Sequence, residues 1–120
     1  MNRSFYQQIT VRNNYLLLLK QTVRIHFSEM IYLEAHINYT SIHLRNGKTV
    51  TIAKTLKSLE TILSPHQFLR CHRAFLINQN HLKHYDSDLG EVLLTNNHIV
   101  STSRRKKGEF EGRMVEMVKY

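Results

Sequence analysis

Apolar and polar positions alternate along much of the chain. In Thr22–Phe27 the residues Val23, Ile25 and Phe27 recur every second position, the spacing of a strand with one buried face. Met30–Leu33 is a short unbroken apolar run and reads as a buried strand. Thr40, Ile42 and Leu44 alternate with Ser41, His43 and Arg45, and the alternation resumes in Lys48–Ile52 after Asn46-Gly47. An Asn-Gly pair between two alternating runs predicts a hairpin, read as a type I′ turn with both central residues at positive φ. The period then lengthens. In Thr55–Leu63 the residues Leu56, Leu59 and Leu63 lie three and four apart. This predicts a short amphipathic helix, capped by Thr55 and ended ahead of Pro65. Phe68-Leu69 and Ala74–Ile77 are apolar clusters flanking Arg70-Cys71-His72-Arg73. Asp86–Gly90 reads as a turn, and Glu91–Leu94 with His98–Ser101 as a second hairpin across Asn96-Asn97. Phe110, Met114, Met117 and Val118 return to helical spacing and predict a C-terminal helix over about residues 105–118.

These elements predict a mainly β protein: short antiparallel sheets stacked with one short mid-chain helix and one C-terminal helix. The missing strand–helix–strand rhythm argues against a doubly wound nucleotide-binding fold. The missing pair of adjacent helices argues against a helix-turn-helix. Residues 1–14 are polar and mixed, an N-terminal arm or edge strand, and residues 15–120 read as a single domain. With 120 residues, one Pro and four Gly, one small domain without an interdomain linker is expected. The longest apolar run, Tyr15–Leu19, is closed by Lys20. It is too short to span a bilayer or to form a signal-peptide core, so no membrane insertion is expected. The single cysteine, Cys71, excludes an internal disulfide and makes a reducing cytoplasm the expected setting.

Charge narrows the function. Lys and Arg number 17 against 9 Asp and Glu, a formal net charge of +8. Such a balance on so small a body calls for a polyanionic partner, nucleic acid or an anionic surface. The densest run, Arg104-Arg105-Lys106-Lys107, falls where the last helix should start, with Ser101, Thr102 or Ser103 available as its cap. Cations at a helix start oppose its dipole, at about 0.3–1 kcal/mol each. A phosphate bound there would reverse that sign, which makes the run a candidate for phosphate contact. Asn38-Tyr39 sits just before a strand, and an exposed Asn amide can pair bidentately with adenine. In Arg70–Arg73, alternation sets Arg70 and His72 on one face and Cys71 and Arg73 on the other. Which arginine is free depends on a register the pattern leaves open.

Catalytic chemistry has little support. Cys71 as a nucleophile would need an activated thiolate and an orienting partner, and no local signature supplies them. His72 reads as a partly buried structural imidazole. The eight histidines come with no CxxC, HExxH or His-rich tract, so neither metal nor cofactor is expected. Asp86 and Asp88 fall in a turn, and Gly108 and Gly112 are isolated. The expectation is a protein that is not an enzyme and has no small-molecule substrate.

Several segments recur together in a known order: Ile31-Tyr32-Leu33-Glu34-Ala35, Asn38-Tyr39, Ile42-His43, and the Thr55-Leu56…Leu59-Glu60…Leu63 helix. They continue with the phrase Phe68-Leu69-Arg70-Cys71-His72-Arg73-Ala74-Phe75-Leu76-Ile77-Asn78, then Val92 and Leu94, Ile99-Val100-Ser101, and Ser103-Arg104-Arg105…Phe110. Over about residues 16–112 the chain resembles the LytTR DNA-binding domain of bacterial transcription regulators of the response-regulator family, most specifically in the phrase from Phe68 to Asn78. The resemblance implies a fold of short antiparallel sheets with few helices. It implies sequence-specific binding of double-stranded DNA by side chains on loops and strand ends, at promoters carrying repeated elements; a homodimer could sit on such sites, but the sequence leaves the oligomeric state open. By position it makes Asn38 or Tyr39, Arg73, and Arg104 with Arg105 DNA-facing, while His72 looks architectural. Lys106 and Lys107 join them as phosphate contacts. Ala74 stands where many members have Ser. Many members also carry an N-terminal receiver domain. Here about 30 residues or fewer precede the recognisable core, without a receiver's acidic cluster or parallel α/β pattern, so a free-standing regulator and an excised domain both fit. The alternatives are an RNA-binding module, disfavoured by the lack of a strand with RNP-type stacking aromatics, and a scaffold binding a partner through the Met-rich terminal helix.

Overall fold

In the computed structural model the described residues, 5–6, 9–12, 14–18 and 23–117, form three β-sheets and two α-helices. The strands are β1 (Phe5–Tyr6), β2 (Ile9–Arg12), β3 (Tyr15–Leu18), β4 (Val23–His26), β5 (Met30–Ala35), β6 (Thr40–Leu44) and β7 (Thr49–Ile52). Helix α1 (Leu56–Leu63) follows, then β8 (Phe68–His72), β9 (Phe75–Asn78), β10 (Leu82–Asp86), β11 (Glu91–Leu94), β12 (Ile99–Ser101) and helix α2 (Arg104–Met117). A central sheet has the order β1-β7-β6-β5-β9-β8, antiparallel apart from the β1–β7 pair. Two smaller antiparallel sheets, β2-β3-β4 and β10-β11-β12, complete the fold.

The central sheet is the middle layer, with apolar residues on both faces. On one face Leu33, Ile42, Ile52, Phe68 and Leu76 pack with Leu16, Leu18 and Ile25 of the N-terminal sheet and with Leu56, Leu59 and Leu63 of α1. On the other, Ile31, Tyr32, Leu69, Cys71 and Ile77 pack with Val92, Leu94 and Val100 of the third sheet and Phe110 of α2. This is why Met30–Leu33 lacks alternation. A register shift between Met30 and Tyr32 puts Ile31 and Tyr32 on one face, with Met30 and Leu33 on the other.

Both helices carry the caps their sequences offered. Thr55 Oγ1 accepts the Ser58 N–H (3.2 Å), and Ser103 Oγ accepts the Lys106 N–H (3.1 Å). Helix α2 starts at Arg104, one residue ahead of expectation, and buries Phe110 with Met114 packed beside it. Val118 lies outside the described residues.

One turn differs from expectation. The β6–β7 hairpin forms, but Asn46 is not at positive φ and only Gly47 is, at +87°. The Gly47 N–H donates to the Leu44 carbonyl (3.0 Å) and the Leu44 N–H to the Lys48 carbonyl (2.9 Å). The loop is therefore the three residues Arg45-Asn46-Gly47, closed by a left-handed glycine, where a type I′ turn would have had two. Asn46 Oδ1 caps it by accepting the Lys48 N–H (2.9 Å). The pair of left-handed residues occurs instead at Asn96 and Asn97, with φ of 63° and 62°. Asn tolerates that region better than most side chains.

Candidate nucleic-acid interface

Antiparallel order decides which loops meet. Strands β5, β7 and β8 end, and β6 and β9 begin, at the same end of the central sheet. The β5–β6 loop (residues 36–39), the β7–α1 loop (residues 53–55) and the β8–β9 turn (residues 73–74) therefore sit side by side. Hydrogen bonds stitch them together. The Ala35 N–H donates to the Ala74 carbonyl (2.8 Å), and Thr40 Oγ1 donates to the Lys54 carbonyl (2.8 Å). The Ser103 N–H donates to the Cys71 carbonyl (2.9 Å), which brings the start of α2 to this same end. Asn38, Tyr39, Arg73 and the start of α2 thus lie at one end of the sheet, though they come from segments far apart in sequence.

The β8–β9 turn resolves the two arginines. A register shift between Arg70 and His72 breaks the alternation. Arg70 folds back under the turn: its Nε donates to the His72 carbonyl (2.8 Å), one terminal nitrogen to the Arg73 carbonyl (2.5 Å) and the other to Glu60 Oε1 of α1 (2.5 Å). All three guanidinium nitrogens are engaged, two on the turn's carbonyls and one on Glu60. Arg73 is exposed, and its guanidinium has no hydrogen bond or ion pair among the described residues. His72 completes the turn, its Nδ1 accepting the Ala74 N–H (3.0 Å). Burial, reinforced by Arg73 and Arg70, holds the imidazole pKa below its ordinary 6.5, which keeps Nδ1 free to accept. Cys71 is fully buried in the core, in the cluster against which Phe75 packs. Burial pushes its thiol up to about 12, so it is no nucleophile at neutral pH.

Beside the turn lies an open groove of about 420 Å³, lined by Lys57, Glu60, Arg70, His72, Arg73, Ser103, Arg105 and Lys106. Five of those side chains are basic, and the one acid, Glu60, is engaged by Arg70. The next acid toward the β5–β6 loop, Glu34, is engaged by His43 (2.9 Å). The groove therefore presents a net positive field. The terminal basic run divides around it. Arg105 and Lys106 line the groove, whereas Arg104 and Lys107 line a second hollow of about 330 Å³ with Ser87 and Asp88. Lys107 Nζ donates to the Ser87 carbonyl (2.9 Å). It also lies near Glu111, whose carboxyl is held below the usual range chiefly by the Tyr85 hydroxyl that donates to it (2.6 Å).

In the β5–β6 loop Asn38 is exposed and Tyr39 is half-buried, its ring stacked on His36 with centroids 4.5 Å apart. Lys57 is the groove residue that sequence reasoning missed. The Leu56, Leu59 and Leu63 pattern puts Lys57 on the outer side of α1, but only the packing of α1 beside β8 shows what it faces.

Comparison with known proteins bears directly on this surface. The family model of the LytTr DNA-binding domain matches residues 20–114. The chain belongs to the LytTR family of DNA-binding domains. Among solved structures, it is similar to a LytTr DNA-binding domain assigned to a methyl-accepting/DNA response regulator from Bacillus cereus. The TM-score is 0.73 at 26% identity, over 86% of this chain and 98% of that one. No curated protein matches the chain. The mainly β fold with few helices agrees with that relative, as the phrase from Phe68 to Asn78 implied. The same phrase forms β8, the Arg70-clamped turn and β9 of this LytTR domain, so the most specific part of the sequence is also the part that presents Arg73. No helix among the described residues is long and apolar enough to cross a membrane.

Proposed function

We propose that this LytTR domain reads specific elements of double-stranded promoter DNA and acts as a bacterial transcription regulator in the cytoplasm, with two copies meeting on repeated elements. Arg73 and Asn38 read base edges with Arg104, while Arg105, Lys106 and Lys107 meet phosphate, and Tyr39 supports the β5–β6 loop. The observation that carries this reading is the division of labour at the β8–β9 turn. Arg70 spends its fork on the turn's own carbonyls, and Arg73 is left exposed beside a cationic groove. A guanidinium so presented can pair bidentately with guanine O6 and N7, while the surrounding cations contribute the same affinity on any sequence.

The test is a salt titration of binding to a duplex recovered by random-site selection and to its scrambled counterpart. Arg73→Lys keeps the charge and loses the fork. It should retain non-specific binding and the salt slope, and lose specific affinity by about ten- to a hundredfold. Lys106→Ala should weaken both duplexes alike and flatten the salt slope by about one unit. Equal losses on both duplexes for Arg73→Lys would make Arg73 a positioning residue. Competition by RNA as effective as by the selected duplex would favour the RNA-binding alternative.

A further inference from the structure

At the same end of the sheet, one side chain is out of keeping with its surroundings. Ile37, in the β5–β6 loop, is 96% exposed, more than any other large apolar side chain among the described residues. Its loop is short and tied. The His36 N–H donates to the Tyr39 carbonyl (2.8 Å), the His36 ring stacks on Tyr39, and His36 Nε2 lies 3.0 Å from Ser41 Oγ. His36 and Tyr39 are thus turned back onto the hairpin, which leaves Ile37 and Asn38 as its tip. Ile is β-branched and stiff at χ1, so ordering it on contact costs little entropy. One strand over, through the Ala35–Ala74 hydrogen bond, stands the turn that presents Arg73.

A single exposed isoleucine is unremarkable on most surfaces. Here the surroundings restrict what it can meet. The groove at the same end of the sheet, beyond the Arg73 turn, is cationic and suits a polyanion better than an apolar protein face. Base edges in the DNA grooves present one substantial apolar group, the thymine C5-methyl, which lies in the major groove. The neighbouring side chain, Asn38, carries the amide that matches adenine N6 and N7 in the same groove. Two adjacent residues therefore match the two halves of an A·T pair. We propose that Ile37 reads a thymine methyl, so that the β5–β6 tip selects A·T pairs in the major groove. This inference rests on the DNA-reading function above and adds to it the base identity at this loop.

The test uses deoxyuridine, which pairs as thymine does but lacks the methyl. Each thymine of the selected duplex is replaced in turn, and binding is measured for the wild-type domain and for Ile37→Ala. At one thymine the replacement should weaken wild-type binding by about fourfold, the worth of one buried methyl-sized group. For Ile37→Ala the penalty at that position should shrink below about twofold, with the other positions unaffected. Because Ile37 is exposed, the variant should melt with the wild type, so lost folding cannot imitate the result. Penalties equal in the two proteins, or no sensitive thymine while the selected duplex is still preferred, would overturn the role of Ile37 and leave the DNA-reading function standing. Failure of the wild type to prefer the selected duplex over the scrambled one would remove that function, and this inference with it.

Discussion

Replacing Arg70 by lysine keeps a cation in place and removes its fork. Arg70 is 13% exposed in its side chain and holds three acceptors at once: the carbonyls of His72 and Arg73 and the carboxylate of Glu60. A lysine ammonium is one point on a flexible stem. It can remain with Glu60 but cannot also reach two carbonyls on the far side of the turn. Hydrogen bonds from charged donors are worth about 1.5–3 kcal/mol each when fully protected. The Arg73 end of the turn is open, so water partly replaces what is lost, and about 1 kcal/mol per carbonyl is the appropriate figure. Arg70→Lys should therefore cost about 2 kcal/mol. For a domain of this size that lowers the melting temperature by about 8 °C, with a matching fall in the urea midpoint at unchanged m-value. The loosened turn should also weaken specific DNA binding more than non-specific binding, because the backbone of Arg73 has lost its anchor. An unchanged melting temperature would refute the clamp. A lowered melting temperature with intact specificity would show that the clamp stabilises the turn without positioning Arg73.

Three other outcomes are expected. Gly47 has φ of +87° and open space around it, so Gly47→Val meets no clash but forces a β-branched residue into the left-handed region. It should lower stability by about 1–2 kcal/mol, and a melting temperature unchanged within error would refute the three-residue loop. Cys71, buried with its thiol pushed up to about 12, should resist a disulfide-exchange reagent at pH 8 until the protein unfolds in urea; prompt labelling of the folded domain would contradict that burial. The His72 pKa is lower in the folded state than its ordinary 6.5, so the unfolded chain binds more protons as pH falls. The stabilisation from the neutral ring is present above about pH 6.5 and is lost below it. The His72 ring resonances should titrate below pH 6.5, and a midpoint at or above that value would remove the Nδ1 acceptor role.

Much of the fold was legible because burial on one face imposes a period. The α1 pattern of Leu56, Leu59 and Leu63 is met residue for residue, and both expected hairpins form. Other strands escaped, and two of them show why. Tyr15–Leu18 is packed tightly in the core and shows no alternation, and Leu82–Asp86 is mostly polar with a register shift between Leu82 and His84. Turn chemistry was misjudged for a related reason. Asn-Gly suits two turn geometries, and the choice depends on whether two or three residues separate the paired strands, which is a property of the register. The choice between Arg70 and Arg73 stayed open because the register shift between Arg70 and His72 breaks alternation at the very residues in question.

The residue types of the candidate interface were visible in sequence, but their grouping was not, because it depends on strand order. Lys57 resembles any other solvated lysine until α1 is packed beside β8. The Arg104–Lys107 run resembles one block until the helix divides it between two hollows. Grouped in this way, the residues reveal a conflict. Helix α2 begins with four consecutive cations against its own dipole. Arg105 and Lys106 are added to Lys57 and Arg73 around one groove, where the only acid is already engaged. Each of these placements is unfavourable for the domain alone. Such conflicts gather where a bound partner resolves them. In the function proposed above a phosphate backbone is that partner: it would neutralise the groove, complement the helix start and bring base edges within reach of Arg73 and the β5–β6 tip.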